Sequence, residues 1–128
     1  MRPNFLDPLQ LEAVPPSTWK LLASFTYRTI VRGKFELITA EKDFENDLAS
    51  IPRFLRWLIP VNGRHRWPAV IHDKGYSVKG VFSSSLIFTR LELDDVFNEG
   101  MKVMGVPLWK RVMLYRGVRA GGWVRWNK

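Results

Sequence analysis

His72, Asp73 and Tyr76 fall within five residues of one another, and a further acid, Asp94, follows on a segment with helical periodicity. An imidazole beside a carboxylate, a phenol and a second carboxylate supply the parts for metal-assisted activation of water. They give a base, an oxygen ligand for a cation, and groups that orient the base. The competing interpretation of the same residues is a hydrogen-bonded unit that ties two helices together.

The elements that must position these side chains can be read from spacing. Pro68 suits the start of a helix through Ala69-Val70-Ile71-His72-Asp73 that weakens at Gly75 and Gly80. On it His72 and Tyr76, four apart, share a face, while Asp73 is turned by about 100°. Thr89-Arg90-Leu91-Glu92 fits a capping box, and the helix it opens should last until Gly105. Asp94, Phe97, Met101 and Met104 recur there at helical spacing, which puts Asp94 on the apolar stripe. Asp95 falls with Leu91, Asn98 and Lys102 on a more polar face. A carboxylate on an apolar stripe costs several kcal/mol unless a partner satisfies it. His72 is the natural partner, with the Tyr76 hydroxyl as a second donor. Asp73, projecting elsewhere, is placed to hold a hard cation such as Ca2+, with Asp47 as a further carboxylate.

Upstream, Trp19, Leu21, Ala23, Phe25, Tyr27 and Val31 recur with a period near two. Arg32-Gly33-Lys34 reads as a turn and Phe35–Thr39 as the returning strand. Residues 40–52 form a polar connection in which Asp47 and Ser50 serve either as turn and cap residues or as part of a loop over His72. Pro52 can open a short helix through Phe54, Leu55, Trp57 and Leu58, and Asn62-Gly63 marks a turn. His65, between Arg64 and Arg66, reads as an exposed basic-loop residue. A last helix begins near Pro107, carries Trp109, Val112, Met113 and Arg116, and ends at Gly121-Gly122. The expected fold is α+β, a small N-terminal antiparallel β-sheet or hairpin packed against three to four C-terminal helices. One domain over 1–128 is expected, with an extended Pro-rich arm (1–17), strands (18–39), a mainly helical part (53–120) and a tail (121–128).

Twenty Lys and Arg against twelve Asp and Glu give a net charge of +8. Lys102, Lys110, Arg111, Arg116, Arg119, Arg125 and Lys128 follow residue 100 with no acid among them. Such a segment either attracts phosphates or is simply a solvated basic face. The candidate contact set is Lys110, Arg111, Arg116, Arg119 and Arg125 with Trp123 and Trp126, facing anionic lipid, nucleic acid or a partner protein. With no cysteine, disulfides and thiolate metal sites are excluded, and two histidines cannot make a three-histidine zinc site. Phosphate-loop, dinucleotide and nucleophile-elbow motifs are absent. No apolar run approaches the roughly 20 residues of a membrane helix, and the first residues lack the apolar region of a secretory signal.

His72-Asp73-x-x-Tyr76 with a later helical Asp94 resembles the catalytic motif of secreted and parvoviral A2-type phospholipases. That resemblance implies His72 as general base for water, Asp73 as calcium ligand, and Tyr76 and Asp94 as support. Asn62-Gly63 stands where those enzymes carry a glycine-rich calcium loop. A wider pattern, Phe44 to Asp47, Leu48 to Arg53, Ala69 to Asp73 with Tyr76, Thr89-Arg90 through Asp94 and Phe97, and Gly105 to Pro107, is similar to an uncharacterised family of tailed phages and prophages. Together these imply a phage-encoded, calcium-dependent ester hydrolase in the host cytoplasm or the virion. The alternative is a non-enzymatic virion or tail-assembly protein whose basic surface meets DNA or partner subunits.

Overall fold

The computed structural model describes residues 2–15, 18–48, 51–59, 66–83 and 86–128. Its strands β1 (Asn4–Phe5), β2 (Leu11–Val14), β3 (Thr18–Leu21), β4 (Phe25–Val31), β5 (Lys34–Ala40) and β6 (Glu45–Asn46) form two antiparallel three-stranded sheets, ordered β1-β4-β5 and β2-β3-β6. The long hairpin β4-β5 closes where expected, at Arg32 and Gly33, both with positive φ, the geometry whose twist matches the flanking strands.

Two expectations about this half need correction. The period-two run from residue 18 to 31 is not one strand, because it bends at residues 22–24 and its halves join different sheets. The alternation survives the break, so Leu21, Phe25 and Tyr27 all point into the core. Nor is 1–17 an arm. Phe5 pairs with Tyr27 and packs its ring on Phe25, Tyr27 and Trp67, while Leu11 pairs with Leu21. Pro3, Pro8 and Pro15 flank β1 and β2 without interrupting them, so they cost no ladder hydrogen bond.

A 3-10 helix (Arg53–Leu58) follows Pro52, as expected of a first-turn proline. Then come α1 (Arg66–Ser77), the small hairpin β7 (Val81–Ser83) and β8 (Leu86–Ile87), α2 (Arg90–Val103), α3 (Leu108–Gly121) and α4 (Trp123–Trp126). The hairpin is an addition to the mainly helical part, and α4 occupies the expected tail. The capping box of α2 is formed in both directions, with Glu92 N–H on Thr89 Oγ1 at 3.1 Å and Thr89 N–H on Glu92 Oε1 at 2.9 Å. Among the described residues no helix is long and apolar enough to cross a membrane. Ser50, the Asn62-Gly63 turn and His65 lie outside the described residues.

Helix α1 separates two cores. On one side Phe25, Tyr27, Ile38, Val70, Ile71, Tyr76 and Leu93 pack between sheet, α1 and α2. On the other, Leu55, Leu58, Ala69, Phe97, Met101, Leu114 and Val118 pack between the 3-10 helix, α1, α2 and α3. A helix between two cores has nearly every face inside the protein, which decides the environment of its polar residues.

Candidate functional site

His72 and Tyr76 project from one face of α1 toward Asp94 on α2, as helical phase predicts. His72 Nε2 lies 2.7 Å from Asp94 Oδ1, and the Tyr76 hydroxyl donates to the same oxygen at 2.6 Å. The second oxygen, Oδ2, accepts from Arg119 Nη1 of α3 at 2.8 Å. Asp94 is wholly buried, whereas its neighbour Asp95 is exposed and accepts the Tyr115 hydroxyl at 2.5 Å. The His72 ring is sandwiched between Tyr76 and Phe97, with centroids 4.4 and 4.7 Å away.

The electrostatics follow from this packing. Burial alone would raise the Asp94 carboxyl, but the donors His72, Tyr76 and Arg119 outweigh it and hold the carboxyl below its usual range. Burial pushes the His72 imidazole below its ordinary value against the pull of Asp94, with the Arg90 guanidinium adding to the depression. Arg90 is fixed by donating to the carbonyls of Val118 and Arg119 at 2.7 and 2.8 Å. His72 is therefore neutral. Since ionised Asp94 only accepts, Nε2 carries the ring proton and the basic lone pair lies on Nδ1. Burial, followed by the bond to Asp94, pushes the Tyr76 phenol well above its usual value, so it serves as a permanent donor.

Asp73 projects to a different side from His72, as its position one residue on predicts. The turn of about 100° from His72 takes it not to solvent but into the second interior surface of α1, where it is 2 % exposed. Burial, and then the nearby Asp47 carboxylate, push its carboxyl up to about 7, against the opposing influence of Arg125, the Asp47 backbone N–H and Arg66. The predicted pair Asp73 and Asp47 is thus brought together. Asp47 is presented by an unusual turn. Buried Asn46 accepts the Leu48 N–H through its side chain at 3.3 Å, and Leu48 sits at φ 62, a left-handed conformation that bulky residues avoid. Four buried side-chain atoms lack a hydrogen-bond partner among the described residues: Asn46 Nδ2, Arg66 Nε, Asp73 Oδ1 and Arg90 Nε. Arg66 lies within electrostatic reach of Asp73, Asn46 precedes Asp47 in the chain, and Arg90 acts on His72 and Tyr76. Two hard carboxylates with an orphaned oxygen fit a cation such as Ca2+ in kind. No group of three or more ligating side chains occurs among the described residues, so backbone carbonyls and water would have to complete the shell.

The candidate contact set divides. Arg119 is bound to Asp94, Arg125 acts on Asp73, and Trp126 packs edge-on against Tyr76 with centroids 5.2 Å apart. Arg111 donates to the Val106 carbonyl at 3.2 Å and to Asn98 at 3.4 Å. Lys110 lies half-buried over the Trp109 ring, while Arg116 and Trp123 face outward. Sequence reasoning missed Arg90, Arg66 and the inward role of Arg119. Only the position of Arg90 straight after a helix cap hinted at any of these. Helix α4 covers the site: Lys79 Nζ donates to the carbonyls of Trp126 and Lys128, and Gly122 lies against the Tyr76 ring. A methyl group at Gly122 would stand 2.8 Å from the phenol oxygen.

Comparison with curated proteins and with solved structures found no match to either. A protein family does match over residues 19–118, a span that holds Asp47, Asp73, His72, Tyr76, Asp94 and Arg90. The chain accordingly belongs to the family described as Protein of unknown function (DUF1353).

Proposed function

We propose that the protein is an ester hydrolase in which His72 activates water. The observation that carries this reading is the buried Asp73, raised to about 7 beside Asp47 with an unpaired oxygen, one residue from an imidazole already oriented by a saturated carboxylate. A purely structural tie between α1 and α2 accounts for His72, Tyr76, Asp94 and Arg119, but it gains nothing from a destabilised carboxylate pair next door. Perturbed groups of this kind cluster at functional sites.

In this mechanism Asp94 fixes the ring tautomer, Tyr76 and Arg119 fix Asp94, and the His72 imidazole takes the proton of the attacking water. The imidazolium formed is stabilised by Asp94 at 2.7 Å. A cation held by Asp73 and Asp47 would polarise the ester carbonyl. The His72 side chain is wholly enclosed, so water must be admitted before the step.

That enclosure favours a second reading, a non-enzymatic phage virion or assembly protein in which the network is structural. The deciding experiment compares wild type with His72→Gln, whose amide can still donate to Asp94, on phospholipid and short-chain esters with and without Ca2+. Hydrolysis that drops by roughly 100-fold or more in a variant that remains folded supports the hydrolase. A wild type inert toward every ester overturns it.

A further inference from the structure

We infer that the outer surface of the 3-10 helix and α3 docks onto an anionic lipid bilayer. In the 3-10 helix, positions three apart eclipse. Leu55 and Leu58 face inward, Leu55 against Gly117 of α3, which leaves Phe54 and Trp57 outside at 74 % and 69 % exposure. On α3, Met113 lies one turn before Gly117 and borders this contact. Trp109, one turn before Met113, shares its exposed face, and Leu108 and Trp123 are exposed beyond the two ends of that face.

The charge that the 3-10 helix and α3 contribute to this surface is of one sign, and the exposed Asp95 of α2 borders it beside Leu108 and Arg116. Arg53 and Arg116 are exposed on it, Lys110 flanks Trp109, and neither 48–72 nor 100–128 contains a single Asp or Glu. Charge selects the occupant. A second copy using the same face would set cations against cations. Nucleic acid would match the cations but gain little from Leu108 or Met113. A bilayer with anionic headgroups satisfies both features, because aromatic and aliphatic side chains enter the headgroup region while Arg and Lys reach lipid phosphates. Most of these residues differ from the basic set singled out by sequence, since Arg111, Arg119, Arg125 and Trp126 are engaged within the fold.

The surface does not depend on hydrolysis, so the test measures binding without turnover. Full-length protein is floated with phosphatidylcholine vesicles with and without phosphatidylglycerol, at low and high salt. Binding should require phosphatidylglycerol and weaken with salt. Trp57→Ser and Trp109→Ser should each reduce partitioning roughly tenfold. Arg53→Ala and Arg116→Ala should each reduce it about fivefold. Leu37→Ser, at an exposed leucine of β5, should have no effect. Failure to bind anionic vesicles, or binding unchanged in both tryptophan variants, overturns the inference. So does loss in those variants of duplex DNA binding or self-association rather than of vesicle binding.

Discussion

Removing the charge at Asp73 should stabilise the protein, and by an amount that depends on pH. The carboxyl titrates near 7 in the folded protein and near 3.8 when unfolded, because burial and then Asp47 disfavour its charge. Between those values the folded state holds a proton that the unfolded chain has released, so wild-type stability falls as pH rises, and the loss is complete above about 7. From pH ~5 to pH ~7 the interval is about two pH units at ~1.4 kcal/mol each, which gives roughly 3 kcal/mol. Asp73→Asn escapes this loss, and its amide oxygen can still accept the Asp47 N–H. Buried Arg66 attracts Asp73 only where Asp73 is ionised, and that attraction is already contained in the value of about 7, so it needs no separate correction. Urea unfolding at about pH 5 and about pH 8.5, followed by tryptophan fluorescence, should show Asp73→Asn gaining roughly 3 kcal/mol relative to wild type over the range. Stability curves that run parallel within about 0.5 kcal/mol would refute the argument, since Asp73 would then titrate as an ordinary surface acid.

The imidazole predicts a slope of opposite sign. With the His72 pKa depressed, the unfolded chain binds the extra proton first, so its contribution is complete above about 6.5 and is lost as pH falls below that. Relative to His72→Gln, wild type should therefore weaken on acidification, as measured by paired unfolding curves. Gly122→Ala should lower stability by about 1–3 kcal/mol, because its methyl must displace either the Tyr76 phenol or the Val118 carbonyl. A melting temperature unchanged from wild type would show that α4 does not press on Tyr76.

Residues whose partners are set within a single helix were legible in sequence. Asp94 was separable from Asp95 because an i, i+3, i+7 stripe names the inward acid, and the cap at Thr89 carries its own partner three residues on. What sequence hid depends on how helices dock. Arg119 lies among cations that look equally solvent-bound, and only the approach of α3 to α2 brings it to Asp94. The direction of Asp73 followed from helical phase, but its surroundings did not, because nothing in the spacing shows that α1 would have a core on either side. The break at residues 22–24 was hidden for a related reason. Alternation continues across it, and only strand pairing reveals two sheets.

Helix α4 buries none of its own residues, and Lys79 fastens it through backbone carbonyls of Trp126 and Lys128. Recognition of carbonyls is indifferent to side-chain identity, so the fastening tolerates sequence drift at those positions while remaining sensitive to loss of one amine. With Trp126 its one aromatic packed inward, against Tyr76, and no residue fully buried, this segment stands at the low end of local stability, where opening is separable from global unfolding. Amide exchange in 123–128 should then outpace that of α1 and α2, letting solvent meet Tyr76 while the two cores remain intact.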